Sequence, residues 1–128
     1  MPSSKGTYRV LVADDEPQIA NLVKQALHLD GHFVTTCGDG AEALKALSGA
    51  KYSVLVLDIL MPRKTGVQAL LELRGAGDDI PVVLMSSFIS DEARAACAGL
   101  ERVAFLQKPF GLDELRDTLR SVTSAVPS

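Results

Sequence analysis

The sequence contains no tryptophan and only two cysteines and two histidines among its 128 residues. Cys37 and Cys97 are too few for a disulfide framework or a thiolate zinc site, and both are expected as buried free thiols. His28 and His32 are expected at the surface or partly buried, without a ligand role. No apolar run is long. Residues 54–57 are typical, and they fall far short of the ~20 residues that cross a bilayer as a helix. The N-terminal Met-Pro-Ser-Ser-Lys-Gly carries no secretory apolar region, so the expected location is the cytoplasm. Positive charge is not in excess: 13 basic residues face 16 acidic ones, for a net charge of −3. Without a basic stripe, direct nucleic-acid binding is not expected. Apolar residues make up 47% of the chain and charged residues 23%. That is the composition of an ordinary folded domain.

What is present is an alternation. Residues 8–13 form an apolar run with β-branched members, as a buried strand requires. Ile19, Leu22, Val23, Ala26 and Leu27 then repeat at helical spacing, and Gly31 stops that helix. The pattern recurs four times. Strands are predicted at 32–36, 53–57, 81–85 and 103–107. Helical stripes run through Ala41, Leu44 and Leu47, through Val67, Leu70 and Leu71, through 91–98, and through Leu112, Leu115, Leu119 and Val122. Asp39 is placed to cap the second helix. Strands apolar on both faces imply a parallel sheet covered by helices on both sides. The predicted fold is an α/β, (βα)5 doubly wound parallel sheet with the flavodoxin-like order 2-1-3-4-5. One domain is expected over 7–123, with a flexible tail at 1–6 and a C-terminal tail or linker stub at 124–128.

Sites in such sheets form beyond the carboxyl ends of the strands. The first strand ends in Asp14-Asp15-Glu16, the third in Asp58, the fourth in Ser86-Ser87 and the fifth in Lys108-Pro109. Strands one and three are neighbours in the predicted order, so Asp14, Asp15 and Asp58 converge. Carboxylates held together repel, and a divalent cation relieves that repulsion. Hard oxygen donors with room for water suit Mg2+ or Mn2+. Lys108 and the Ser86 hydroxyl offer donors to a phosphate on the other side. The set describes phosphoryl transfer with Asp58 as the nucleophile. Each residue alone has a plainer reading: a helix cap, a turn acid, a loop hydroxyl, a surface lysine. Their joint placement on one rim argues against those readings.

Four segments then carry a family resemblance. They are Val-Leu-Val-Ala-Asp14-Asp15-Glu, Leu-Asp58-Ile-Leu-Met61-Pro62 with Gly66, Ile80-Pro81-Val-Val-Leu-Met-Ser86, and Phe105-Leu-Gln-Lys108-Pro109-Phe. In this order and spacing, across residues 8 to 123, the chain resembles a receiver domain of the two-component response-regulator family. The resemblance implies a signalling phosphoacceptor rather than an enzyme acting on an external substrate. Asp58 would take a phosphoryl group from a sensor histidine kinase or a histidine phosphotransfer protein. Asp15 and Asp58 would ligate Mg2+ with the Leu60 backbone carbonyl, Asp14 would act through a bound water, and Ser86 and Lys108 would hold the phosphoryl oxygens. It also implies a cis Lys108–Pro109 bond. Ser86 and Phe105 would act as a switch pair coupling the site to the face of the fourth helix, fifth strand and fifth helix. That face would control an unspecified output domain or effector, with the protein a monomer or weak dimer.

The chain departs from the usual pattern in places. Two extra residues separate Gly99 from Phe105. Glu101-Arg102-Val103-Ala104 replaces the acidic run typical of the DNA-binding subclass. Thr65 stands where aspartate is common. Leu60 and Phe88 are apolar where polar side chains would orient an attacking water, so slow self-dephosphorylation is expected. The alternatives are a constitutive binding module that keeps the fold, an aspartate-nucleophile phosphatase, and a flavin binder. The second wants Asp-x-Asp after its first strand, and the third a glycine-rich phosphate loop there. Neither feature is present.

Overall fold

A computed structural model describes residues 7–124 of the chain. Residues 1–6 and 125–128, which fall in the expected tails, lie outside it. Ten elements alternate: β1 (Arg9–Ala13), α1 (Pro17–Leu29), β2 (Phe33–Cys37), α2 (Gly40–Gly49), β3 (Val54–Asp58), α3 (Gly66–Gly75), β4 (Val82–Ser86), α4 (Asp91–Ala96), β5 (Val103–Gln107) and α5 (Leu112–Ser124). The strands form one sheet in the order β2-β1-β3-β4-β5. All neighbouring pairs are parallel. This is the predicted architecture.

The alternation of side chains along each strand divides the core in two. Leu11 and Ala13 of β1, with Leu55 and Leu57 of β3, face one layer built from Ala43, Leu70, Leu73, Ala93 and Cys97. Val10, Val12, Val54 and Val56 face the other, built from Ala20, Val23, Leu27, Leu115, Leu119 and Val122. Helices α2, α3 and α4 therefore cover one face, and α1 and α5 the other. Every residue of β3 and β4 is buried. The edge strands β2 and β5 are only part-covered.

The elements differ from the periodicity in informative ways. The third and fourth strands run one residue further than expected and end on Asp58 and Ser86 themselves. A hydropathy pattern stops at the first polar side chain, whereas the backbone ladder continues through it, pairing Asp58 with Met85 and Ser86 with Gln107. The second strand is displaced likewise, to Phe33–Cys37. Helix α4 ends at Ala96, before Gly99 in the left-handed region at φ 84°. Leu22 and Leu71, counted in the apolar stripes, are exposed, and Ala20 and Ala69 take their places in the core. Cys97 is buried as expected, but Cys37 at the end of the edge strand is only half-buried. Both are free thiols. His32 is buried more deeply than expected. Its Nδ1 accepts the Tyr8 backbone N–H at 3.0 Å, and its ring stacks on that of Tyr8.

Two caps set the helices next to the site. Asp39 caps α2 as expected, accepting the Glu42 N–H at 2.8 Å. Thr65 caps α3 in a reciprocal box with Gln68, which a search for apolar stripes passes over. Among the described residues, no helix is long and apolar enough to cross a membrane.

Candidate functional site

Parallel pairing brings the carboxyl ends of β1, β3, β4 and β5 to one rim. Asp14 directly follows β1, and Asp58 closes the adjacent β3. Both carboxylates are buried, at 2% and 4% exposure. Burying two acids side by side without a cation would be prohibitive. Lys108, one residue beyond β5, supplies the cation. Its ammonium lies 2.9 Å from Asp14 Oδ2, 3.3 Å from Asp58 Oδ2 and 3.3 Å from Glu16 Oε1. The Lys108 backbone N–H donates to the Ser86 carbonyl at 2.8 Å, which holds the lysine's base against β4. The Lys108–Pro109 bond is cis, as expected.

Oxygens of Asp14, Glu16 and Asp58 lie within 4.8 Å of one another. Glu16 is the member that the motif reading did not single out. Its signal was there, as the third acid of the run after β1. The turn that brings it in is local: the Glu16 N–H donates to Asp14 Oδ1 at 2.9 Å. Asp15, expected as a metal ligand, is exposed and is not one of the three. The Leu60 N–H donates to Asp58 Oδ1 at 3.2 Å, fixing the orientation of that carboxylate. Gly66 makes the arrangement possible, because a Cβ there would lie 2.5 Å from the Asp58 carbonyl oxygen. Only glycine lets α3 start so close beneath the acid.

Ser86 is almost fully buried, and its hydroxyl is engaged locally. It donates to the Phe88 carbonyl at 2.9 Å and accepts the Phe88 N–H at 3.2 Å. Phe105 is half-buried against the α4 layer, with the Arg94 guanidinium 5.0 Å from its ring centre. Leu60 and Phe88 stand out from the rim at 65% and 74% exposure.

The electrostatics of the cluster are unbalanced. Like charges 4 Å apart repel by about 4 kcal/mol at the dielectric of a partly buried site. One ammonium cannot neutralise three carboxylates. Burial first, and the Asp14 charge second, push the Asp58 carboxyl up to about 6, against the opposing pull of Lys108. Burial alone would lower the Lys108 ammonium. The Asp14 hydrogen bond and the Asp58 charge outweigh it and hold the lysine above its usual range. Oxygen donors of this kind and spacing suit a hard divalent cation.

A raised carboxyl pKa has a definite sign in stability. The folded state holds the Asp58 proton to about pH 6, while the unfolded state releases it near pH 4. Between these values folding binds a proton, so the Asp58 contribution to stability falls as pH rises and is fully adverse above the folded pKa. Asp58→Asn is expected to stabilise the metal-free protein by about 1–3 kcal/mol at pH 8. The gain should shrink toward pH 4.5 in thermal melts with a chelator. A melting temperature unchanged by the substitution at pH 8 would contradict this electrostatic reading.

Comparison with known proteins converges on one family. Residues 10–120 match the model of the response regulator receiver domain. Response regulator MprA of Mycobacterium tuberculosis is 35% identical over 116 residues, covering 89% of this chain and 50% of that protein. MprA of Mycobacterium avium is 34% identical over the same share. The chain thus spans about half the length of the curated relatives it matches. Among solved structures, the receiver domain of the Francisella response regulator 1452 is 31% identical. It superposes with a TM-score of 0.80 over 92% of this chain and 98% of its own. Response regulator TrrA from Thermotoga maritima, solved in complex with Mg2+-BeF, is 32% identical, with a TM-score of 0.77 over 89% of this chain and 97% of its own. On the family model across residues 10–120, and with the same fold in these solved structures, the chain belongs to the response regulator receiver domain family of two-component systems.

Proposed function

We propose that Asp58 is the phosphoacceptor of a Mg2+-dependent phosphorylation switch, its donor a sensor histidine kinase or a histidine phosphotransfer protein. The observation that carries this reading is the Lys108 ammonium between Asp14 and Asp58. A buried carboxylate with a cation at hand suits attack on a phosphoryl group, because the cation offsets the charge of the phosphoryl oxygens. An Asp58 carboxylate oxygen attacks phosphorus, an acyl phosphate forms, and the P–N bond to the donor histidine breaks. The leaving imidazole nitrogen keeps the electron pair of that bond.

Asp58, Asp15 and the Leu60 carbonyl, with Asp14 through water, are the ligand set that family membership suggests for Mg2+. Glu16 is the acid that the geometry adds to it. When bound, the metal supplies positive charge against the acids and the phosphoryl oxygens. The chain's own groups do the rest. The Leu60 N–H keeps Asp58 oriented. Lys108, already at hydrogen-bond distance from Asp58, passes to a phosphoryl oxygen. Ser86 offers its hydroxyl once it leaves the Phe88 backbone. That release frees the segment after β4, and Phe105 turns inward beside it. The switched surface is then the α4–β5–α5 face. It acts on an output domain or effector whose nature the receiver does not specify, with the receiver a monomer or weak dimer in the cytoplasm. Residues 7–123 would make up the switching unit.

Intact mass after incubation with acetyl phosphate and Mg2+ tests the reading. Wild type should gain one phosphoryl group only with Mg2+, and Asp58→Asn should gain none. A folded wild type that takes up neither phosphoryl group nor Mg2+ would instead be a constitutive binding module.

Leu60 and Phe88, two positions after Asp58 and Ser86, are exposed and apolar, so neither offers a polar group to orient an attacking water. The acyl phosphate should therefore be long-lived. Leu60→Asn with Phe88→Glu should shorten its lifetime on the order of tenfold, less than the roughly hundredfold of a fully positioned general base. An unchanged decay by intact mass would refute this role for the two residues.

A further inference from the structure

The loop from Ile59 to Thr65 joins Asp58 to α3 and carries Leu60. Its first half is anchored from the sheet, where the Ile59 N–H donates to the Met85 carbonyl at 2.8 Å. Its second half is anchored by side chains. Arg63 sits in the left-handed region at φ 66°, a conformation that costs a non-glycine residue about 1 kcal/mol. Something must hold it there. Its guanidinium ion-pairs with Asp39 Oδ2 and lies 3.5 Å from Glu42 Oε2. The Asp39 carboxylate is nearly fully buried, and its other oxygen caps α2. One residue further along each segment, the Gly40 N–H donates to the Lys64 carbonyl at 3.1 Å. A Cβ on Gly40 would lie 2.4 Å from that oxygen, so the loop and the start of α2 meet backbone to backbone. Lys64 pairs with Glu72 of α3 on the opposite side.

The capping acid of α2 therefore has two tasks. One oxygen serves its own helix. The other reaches across to a strained residue five positions after the phosphoacceptor. A cap alone needs no arginine, and a left-handed turn alone would be better served by glycine.

We infer that the Arg63–Asp39 ion pair is a positioning device, which fixes the 59–65 loop so that Asp58 and Leu60 are held ready for the metal and the phosphoryl group. This rests on the phosphoacceptor reading above. Partners that orient metal ligands without touching the metal are worth about tenfold or more in affinity when removed.

Three variants separate positioning from folding. Arg63→Gly removes the guanidinium and relaxes the backbone. Asp39→Asn keeps an oxygen for the α2 cap and removes the charge. The double variant tests coupling. Each single variant should weaken Mg2+ binding in calorimetry about tenfold and slow phosphoryl uptake from acetyl phosphate by a similar factor. The double variant should be no worse than either single one. Hydrogen exchange should quicken at amides 59–64 and stay unchanged through α2. Arg63→Lys should recover part of the loss.

Unchanged Mg2+ affinity and loop exchange in Arg63→Gly would overturn the inference, as would strictly additive losses in the double variant. A wild type that binds Mg2+ but takes no phosphoryl group would sink the phosphoacceptor reading alone, because affinity and exchange still decide the role of the pair. A wild type that binds no Mg2+ overturns both.

Discussion

The contact between the Lys108 ammonium and the buried carboxylates of Asp14 and Asp58 governs the remainder of the structure. These three residues come from the ends of β1, β3 and β5, and in sequence they are far apart. Parallel pairing brings them to one rim, and β4 between β3 and β5 presents Ser86 there as well. The sheet can afford to bury the acids because the lysine arrives with them. Yet a single lysine leaves the cluster short of positive charge, and burial holds the Asp58 carboxyl up at about 6. The site keeps an electrostatic tension that a divalent cation and a phosphoryl group can each engage.

Supporting contacts convert that tension into a shaped site. Gly66 lets α3 begin against the Asp58 carbonyl, and Thr65 caps that helix with Gln68. The Asp39–Arg63 pair and the Gly40–Lys64 backbone contact join the α2 start to the same loop. Further away, Arg74 donates to the carbonyls of Asp78, Ile80 and Glu101, tying the end of α3 to the loop before β5. Arg102 in that loop adopts φ 59° and pairs with Asp79 at 2.5 Å. The segment between Gly99 and Phe105 thus contains a braced turn.

The alternating pattern and the strand-end acids made the fold and most of the rim legible in the sequence. Val10–Ala13 and Val54–Leu57 read as buried strands because both of their faces are covered. What stayed hidden depended on three-dimensional proximity. Glu16 joins the cluster through a turn onto Asp14, a contact two residues long that no period reveals. Asp15 looks equivalent to Asp14 in sequence, yet it faces solvent. Leu22 and Leu71 fit the helical stripes, yet they are exposed, while Ala20 and Ala69 on the same helices are buried. Arg63 in isolation is a surface arginine in a loop, and only its left-handed backbone and buried partner mark it out.

If Lys108 and a divalent cation draw on the same carboxylates, removing the lysine charge must favour the metal. Calorimetric titration of Mg2+ into wild type and Lys108→Met measures this directly, at pH 8 where Asp58 is ionised. Binding should tighten on the order of tenfold in the variant, a difference of about 1.4 kcal/mol. Unchanged or weaker binding in a folded Lys108→Met protein would contradict the view that the ammonium and the metal share one set of acids.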